Sequence, residues 1–308
     1  MDQRVPVTIL SGFLGSGKTT VLNALLSGGS AGRCAVVVNE VGELGIDGLL
    51  VERADWGLIE LVDGCLCCTV LGDLSQALAA LLQASDGPPD RILIEASGLA
   101  SPGPVARTIG AVADLRARLR VSGVVTVLHA KHAISQLEAR PEARDQVACA
   151  DRLLVGHVDR VDEATLEALE EQLRSVRPDA EIARATRGVV DPNWLLADSH
   201  TPVRVAPSEV AHSEGITTVS LSTEEELDLH ALKLWLQFLA ARRGQQLLRI
   251  KGVFRVREYD QAVSVHGVHE WLEFGPLEMN APETSSIVLI GEGLDPDELR
   301  RGWDAVSA

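Results

Sequence analysis

Nine consecutive residues, Gly12-Phe13-Leu14-Gly15-Ser16-Gly17-Lys18-Thr19-Thr20, have the types and spacing G-x-x-x-x-G-K-[ST]. Glycines at these intervals let backbone N–H groups of Gly12, Gly15, Ser16, Gly17 and Thr20 converge on phosphate oxygens, and a helix opening at Lys18 adds its dipole. In such a loop Lys18 meets the β- and γ-phosphates, and the Thr19 hydroxyl binds Mg²⁺. The chemistry is that of a nucleoside triphosphate. The run follows an apolar stretch at residues 5–10 and precedes a helical pattern at 18–26, the context the motif requires.

A second oxygen donor should stand at the end of a neighbouring strand. Residues 91–95 read Arg-Ile-Leu-Ile-Glu, an apolar strand ending in Glu95, with Gly98 three residues on. Glu95 can orient Mg²⁺ or its waters, and the Gly98 amide can sense a γ-phosphate.

Three thiols fall within four residues at Gly64-Cys65-Leu66-Cys67-Cys68. Extended backbone sends Cys65 and Cys67 to one side, and a turn brings Cys68 round. Thiolates suit soft or borderline ions such as Zn²⁺, Co²⁺ or Cu⁺, and three of them leave one position of a tetrahedral site open. A buried apolar trio and a redox-active vicinal pair are the alternatives. Cys34 and Cys149 read as core residues. Between the two motifs lies Asn39-Glu40-Val41-Gly42-Glu43-Leu44-Gly45-Ile46-Asp47, a glycine-broken acidic loop at the carboxyl end of a strand. Glu40 and Glu43 could complete a transition-metal site and Asp47 could reach the nucleotide Mg²⁺; as a solvated acidic loop they need no role.

The elements that must position these groups follow from periodicity. Strands are expected at residues 5–10, 34–39, 91–95, 121–128, 152–155 and 181–185, and helices at 18–26, 71–83 and 163–176. The last helix would be capped by Asp162 and left at Pro178. This alternation predicts an α/β P-loop NTPase domain with a mostly parallel sheet over residues 1–198. A linker at 199–213 leads to a smaller α+β domain at 214–308, for which a ferredoxin-like arrangement is one option. There a helix at 225–242 carries Leu227, Ala231, Leu234, Trp235 and Phe238, strands are expected at 248–256, 262–266, 269–274 and 286–290, and a helix closes at 296–306.

Composition narrows the setting. In 308 residues, 44 Asp and Glu outweigh 28 Lys and Arg, a formal charge of -16 that repels nucleic acid and anionic membrane. Residues 1–14 lack the pattern of an export signal and no apolar run is long enough to span a bilayer. A cytoplasmic protein is therefore expected, in which clustered Cys means metal or redox chemistry.

Together G-F-L-G-S-G-K-T-T, N-E-V-G-E-L-G-I-D, G-C-L-C-C, I-L-I-E-A-S-G and the distal domain make the chain resemble the CobW-type GTPase metallochaperones. The resemblance spans nearly the whole chain. It implies a GTPase that alternates between GTP and GDP, handles Zn²⁺ or Co²⁺ and passes it to a client metalloprotein; a homodimer is compatible with it. Turnover is expected to be slow, since the sequence offers no evident residue to position the attacking water and no evident arginine finger. Where that family has an N-K-x-D guanine motif, this chain has Gly156-His157-Val158-Asp159. Asp159 could accept from guanine N1–H and N2–H₂, the His157 ring could stack on the purine in place of the Lys stem, and Thr186 lies in the last guanine-contacting loop. The loss of Asn and Lys implies weaker base selectivity. A non-selective P-loop NTPase or kinase, and a nucleotide-bound adaptor that no longer hydrolyses, are the other readings.

Overall fold

The computed structural model describes residues 2–28, 32–41, 58–63, 69–84, 87–198, 210–213, 216–244, 246–257 and 259–307. The chain divides into two units, Met1–Gln172 with Ala180–Ser199, and Leu173–Asp179 with His200–Ala308.

The first unit is built on seven strands: β1 (Val5–Ser11), β2 (Cys34–Val41), β3 (Leu58–Asp63), β4 (Arg91–Glu95), β5 (Leu119–His129), β6 (Arg152–Gly156) and β7 (Glu181–Ala185). Their order is β3-β2-β4-β1-β5-β6-β7, and every pairing is parallel. Central strands of a parallel sheet are covered on both faces, so they read as unbroken apolar runs rather than as alternation. Val7, Ile9 and Leu10 of β1 and Ile92, Leu93 and Ile94 of β4 are all buried. The crossovers carry α1 (Lys18–Ser27), α2 (Thr69–Leu82), α3 (Gly103–Ala111), α4 (Ala113–Arg118), α5 (Ala133–Ala139), α6 (Pro141–Cys149) and α7 (Glu163–Val176), and the short α8 (Pro192–Leu195) follows β7. Asp162 caps α7, its Oδ1 accepting the Thr165 N–H at 2.9 Å.

The second unit has β8 (Val210–Ser213), β9 (Ile216–Thr223), β10 (Leu247–Phe254), β11 (Gln261–Val268), β12 (Trp271–Asn280) and β13 (Ser285–Glu292) in the order β12-β11-β10-β13-β9-β8. All of its pairings are antiparallel. Helices α9 (Leu229–Arg243) and α10 (Pro296–Ser307) pack on it. Leu232, Leu236 and Leu239 of α9 share a core with Leu299, Trp303 and Val306 of α10 and with Ile250, Phe254, Val265 and Leu289 of the sheet. Trp235 packs against that core and Phe238 stays exposed. The helix starts later than its pattern predicts because Asp228 caps it, its Oδ1 accepting from the Ala231 N–H at 2.8 Å.

One further boundary moves for a physical reason. The strand expected at 269–274 begins at Trp271, because His269, at φ 54°, and Glu270 form the two-residue turn closing the β11–β12 hairpin. Helices α3 to α6 escape the pattern. They are six to nine residues long, and helices that short depend on packing rather than on propensity. Among the described residues no helix is long and apolar enough to cross a membrane.

Candidate nucleotide site

In the first unit β1 lies between β4 and β5, the point at which the strand order reverses. Ligands of open parallel sheets bind beyond the carboxyl ends of the strands at such a point. The phosphate loop leaves β1 here. Register sets Leu10 beside Glu95 of β4 and Ser11 beside Thr126 of β5, so a carboxylate 76 positions from Thr19 arrives at the foot of the loop.

The loop itself is shaped by what it cannot carry. Gly12 has φ 139°, and a Cβ on it would strike the Val127 carbonyl of β5. Gly17 caps α1 without a side-chain hydrogen bond, and the first turn of α1 holds no acidic residue. The helix therefore presents its opening N–H groups and positive dipole end to the cavity. Lys18, only 8% exposed, arches over the loop and donates from Nζ to the Gly12 carbonyl at 2.9 Å. Ser16 Oγ is buried without a hydrogen-bond partner among the described residues, an uncommon state for a hydroxyl in the interior.

Thr19 Oγ1 donates to Glu95 Oε1 at 2.9 Å. A hydroxyl and a carboxylate meeting at the head of a phosphate-loop helix are hard oxygen donors of the kind Mg²⁺ takes beside its waters and phosphate oxygens, so the residues fit that ion. The cavity measures about 460 Å³, ample for a nucleotide's phosphates, and its walls include Gly15, Gly17, Lys18, Thr19, Thr20, Glu95, Gly98 and His157. Gly98 is pressed so close to the loop that a Cβ would sit 2.8 Å from Leu14 N and 2.9 Å from Leu14 Cα.

On the other flank, the pairing of His129 with Gly156 at the ends of β5 and β6 places His157 against His129. Their rings stack at 4.2 Å and 15°, and His132 lies 4.6 Å from His129 on another side. His129 Nδ1 accepts the Lys131 N–H at 3.2 Å, which leaves Nε2 to carry the proton of the neutral ring. Burial first, then the positive charge that His157, His132 and Arg160 can bring, holds His129 below the ordinary imidazole range. Asp159 lies exposed in the short 3₁₀ turn Val158–Arg160, and Thr186 is exposed at the end of β7; neither lines the cavity. The turn that follows Thr186 does reach the site: a Cβ on Gly188 would lie 2.6 Å from the Thr20 carbonyl.

The remaining expectations divide cleanly. Cys34 is buried, its thiol pushed up to about 12 by burial, and Cys149 is buried on α6; neither is set up as an exposed thiolate. Cys65, Cys67, Cys68, Glu43 and Asp47 lie outside the described residues, as does the side chain of Glu40. The backbone of Glu40 pairs with Val62, and Val41 with Asp63. The chain thus enters the Cys65–Cys68 segment from the same sheet end that bears Glu40, three strands from β1. Sequence reading missed His129, whose place at a strand's carboxyl end was a usable signal, and Gln146, which carries no signal in sequence.

Comparison with known proteins agrees with this arrangement. The family described as CobW/HypB/UreG, nucleotide-binding domain, matches residues 6–184, and the cobalamin synthesis protein cobW C-terminal domain matches residues 216–307. The chain is 29% identical to a protein named zinc chaperone YjiA from Escherichia coli, over 97% of this chain and 98% of that one. It is 34% identical to one named zinc chaperone CobW from Pseudomonas aeruginosa, over 60% of this chain and 57% of that protein. Among solved structures, Zn(II)-bound YjiA GTPase from Escherichia coli superposes with a TM-score of 0.73 at 26% identity, covering 100% of both chains.

Proposed function

The chain belongs to the CobW/HypB/UreG family, and from that premise we propose that it is a GTP-binding, slowly GTP-hydrolysing metallochaperone. It takes Zn²⁺ or Co²⁺ as cargo at Cys65, Cys67 and Cys68, with Glu40 and Glu43 as further ligands, and passes the ion to a client metalloprotein. The observation that carries the reading is the meeting of Lys18, Thr19 and Glu95 in one cavity, at the sheet end from which β2 and β3 lead into the acidic loop and the cysteines. Relatives named zinc chaperones and a Zn(II)-bound structural relative support zinc as the cargo.

In this reading Lys18 and the loop amides hold the triphosphate, Gly98 N–H senses the γ-phosphate, and Thr19, Glu95 and Asp47 hold Mg²⁺, directly or through its waters. The bound ion neutralises phosphate charge. His157 stacks on the base, Asp159 accepts from the guanine edge and Thr186 completes the base pocket. Nucleotide and cargo are coupled through the segment between Glu40 and Asp47. GTP favours the form in which the thiolate site is complete, and hydrolysis favours release. Strand spacing puts β3 only about 15 Å from β1, a short path for such coupling. Zn²⁺ titration in the two nucleotide states tests the coupling.

One observation favours a second reading. Gly156 stands where an Asn would brace the base loop, so a P-loop NTPase indifferent to the base would fit that loop equally well. Competition of ATP and GTP against a fluorescent GTP analogue decides between them.

A further inference from the structure

We propose that Gln146 is a positioning residue that holds the γ-phosphate side of the nucleotide site ready for GTP; this rests on the GTPase reading above. Gln146 lies in α6, is 1% exposed and does not itself line the nucleotide cavity; it meets the cavity wall through Gly98. Its side-chain Nε2 donates to two backbone carbonyls, Gly98 at 3.1 Å and Ala100 at 3.0 Å. Both acceptors are carbonyls, so the amide has one orientation, with both protons spent on the loop after β4. Its Oε1 is buried without a partner among the described residues. An apolar side chain would avoid that cost, so the two donated bonds are what the residue supplies.

The loop it holds forms a turn closed by Ala100 N–H on the Ser97 carbonyl at 3.0 Å. Gln146 fixes the peptide planes that follow Gly98 and Ala100, while the plane before Gly98 carries the N–H that the GTPase reading assigns to the γ-phosphate. The other side of Gly98 is against Leu14 of the phosphate loop, with no room for a Cβ. The turn is thus clamped between the phosphate loop and one glutamine. The glutamine stands on fixed ground. Its own carbonyl accepts the Thr126 hydroxyl of β5 at 2.8 Å, and at the end of α6 Asp151 exchanges two bonds with Val124, N–H to carbonyl at 2.8 Å and Oδ2 from N–H at 2.9 Å. A loop already held where a γ-phosphate arrives gives up less freedom on binding, and the gain falls on triphosphate rather than diphosphate.

The test measures affinities of purified full-length protein for a fluorescent non-hydrolysable GTP analogue and for fluorescent GDP, both with Mg²⁺, and steady-state GTP hydrolysis. Gln146→Met keeps length and loses both donors. It is expected to weaken the analogue and lower kcat roughly tenfold, with GDP affinity within about twofold of wild type. Thr126→Val, which loosens α6 without touching the turn, is expected to lower the unfolding midpoint but keep the analogue-to-GDP ratio. Should Gln146→Met not fold, Gln146→Glu, with at most one donor, is expected to shift the ratio the same way. An unchanged ratio in the Gln146 variants overturns the proposal while leaving the GTPase reading intact. A wild type that binds neither nucleotide overturns both.

Discussion

Thr19 Oγ1 and Glu95 Oε1 meet at 2.9 Å, although they belong to different elements and stand 76 residues apart. The contact joins the head of α1 to the end of β4, where a triphosphate and its Mg²⁺ would be held. Glu95→Gln removes the charge and keeps the shape, so it is expected to cut kcat about 100-fold and raise the Mg²⁺ requirement, with the fold intact. Single-turnover phosphate release at graded Mg²⁺ checks both effects.

Gly98 offers a steric test. A methyl group there meets backbone at 2.8 and 2.9 Å, at Leu14 N and Cα, atoms that cannot swing aside as a side-chain end would. Gly98→Ala is expected to displace the turn and weaken a GTP analogue more than about tenfold while GDP changes little. Parallel titrations with the two nucleotides measure it.

The imidazole stack makes stability depend on pH. His129 is held neutral by burial and by its neighbours, so its native pKa lies below that of the unfolded chain. Above about pH 6.5 both states are neutral there and the group costs nothing. As pH falls below that value the unfolded chain takes up a proton that the native ring refuses, and stability falls until the native pKa is passed. His129→Gln is expected to flatten this acid limb; urea midpoints between about pH 5 and 7.5 show whether it does.

Some of this was legible in the sequence because the chemistry needs neighbours in the chain. The phosphate loop must be contiguous to wrap a phosphate, so residues 12–20 announced themselves. Glu95 could be picked out as the end of an apolar run, but its contact with Thr19 needed the register of β1 with β4. Gln146 could not be read at all, since its partners are backbone carbonyls 46 and 48 residues away, and a carbonyl leaves no trace in residue type. The helix that carries it is nine residues long, with a polar, proline-led sequence, and owes its existence to packing. The stack of His129 on His157 was hidden for a related reason: the two rings are brought alongside only by the pairing of β5 with β6.

Base selectivity should follow the altered loop. With Gly156 and His157 in place of Asn and Lys, ATP is expected to compete within about tenfold of GTP, the remaining preference coming from Asp159. Asp159→Ala is expected to erase that preference, and the double change Gly156→Asn with His157→Lys to widen it. Competition against a fluorescent GTP analogue gives all three numbers.

The coupling of cargo to nucleotide is tested most directly by titrating Zn²⁺ into wild type and Cys67→Ser, each loaded with Mg²⁺ and either a non-hydrolysable GTP analogue or GDP. Wild type should bind Zn²⁺ at least about tenfold tighter with the analogue than with GDP, a coupling near 1.4 kcal/mol, and Cys67→Ser should lose both the affinity and the difference. Equal Zn²⁺ affinities in the two nucleotide states would contradict nucleotide-driven metal handling.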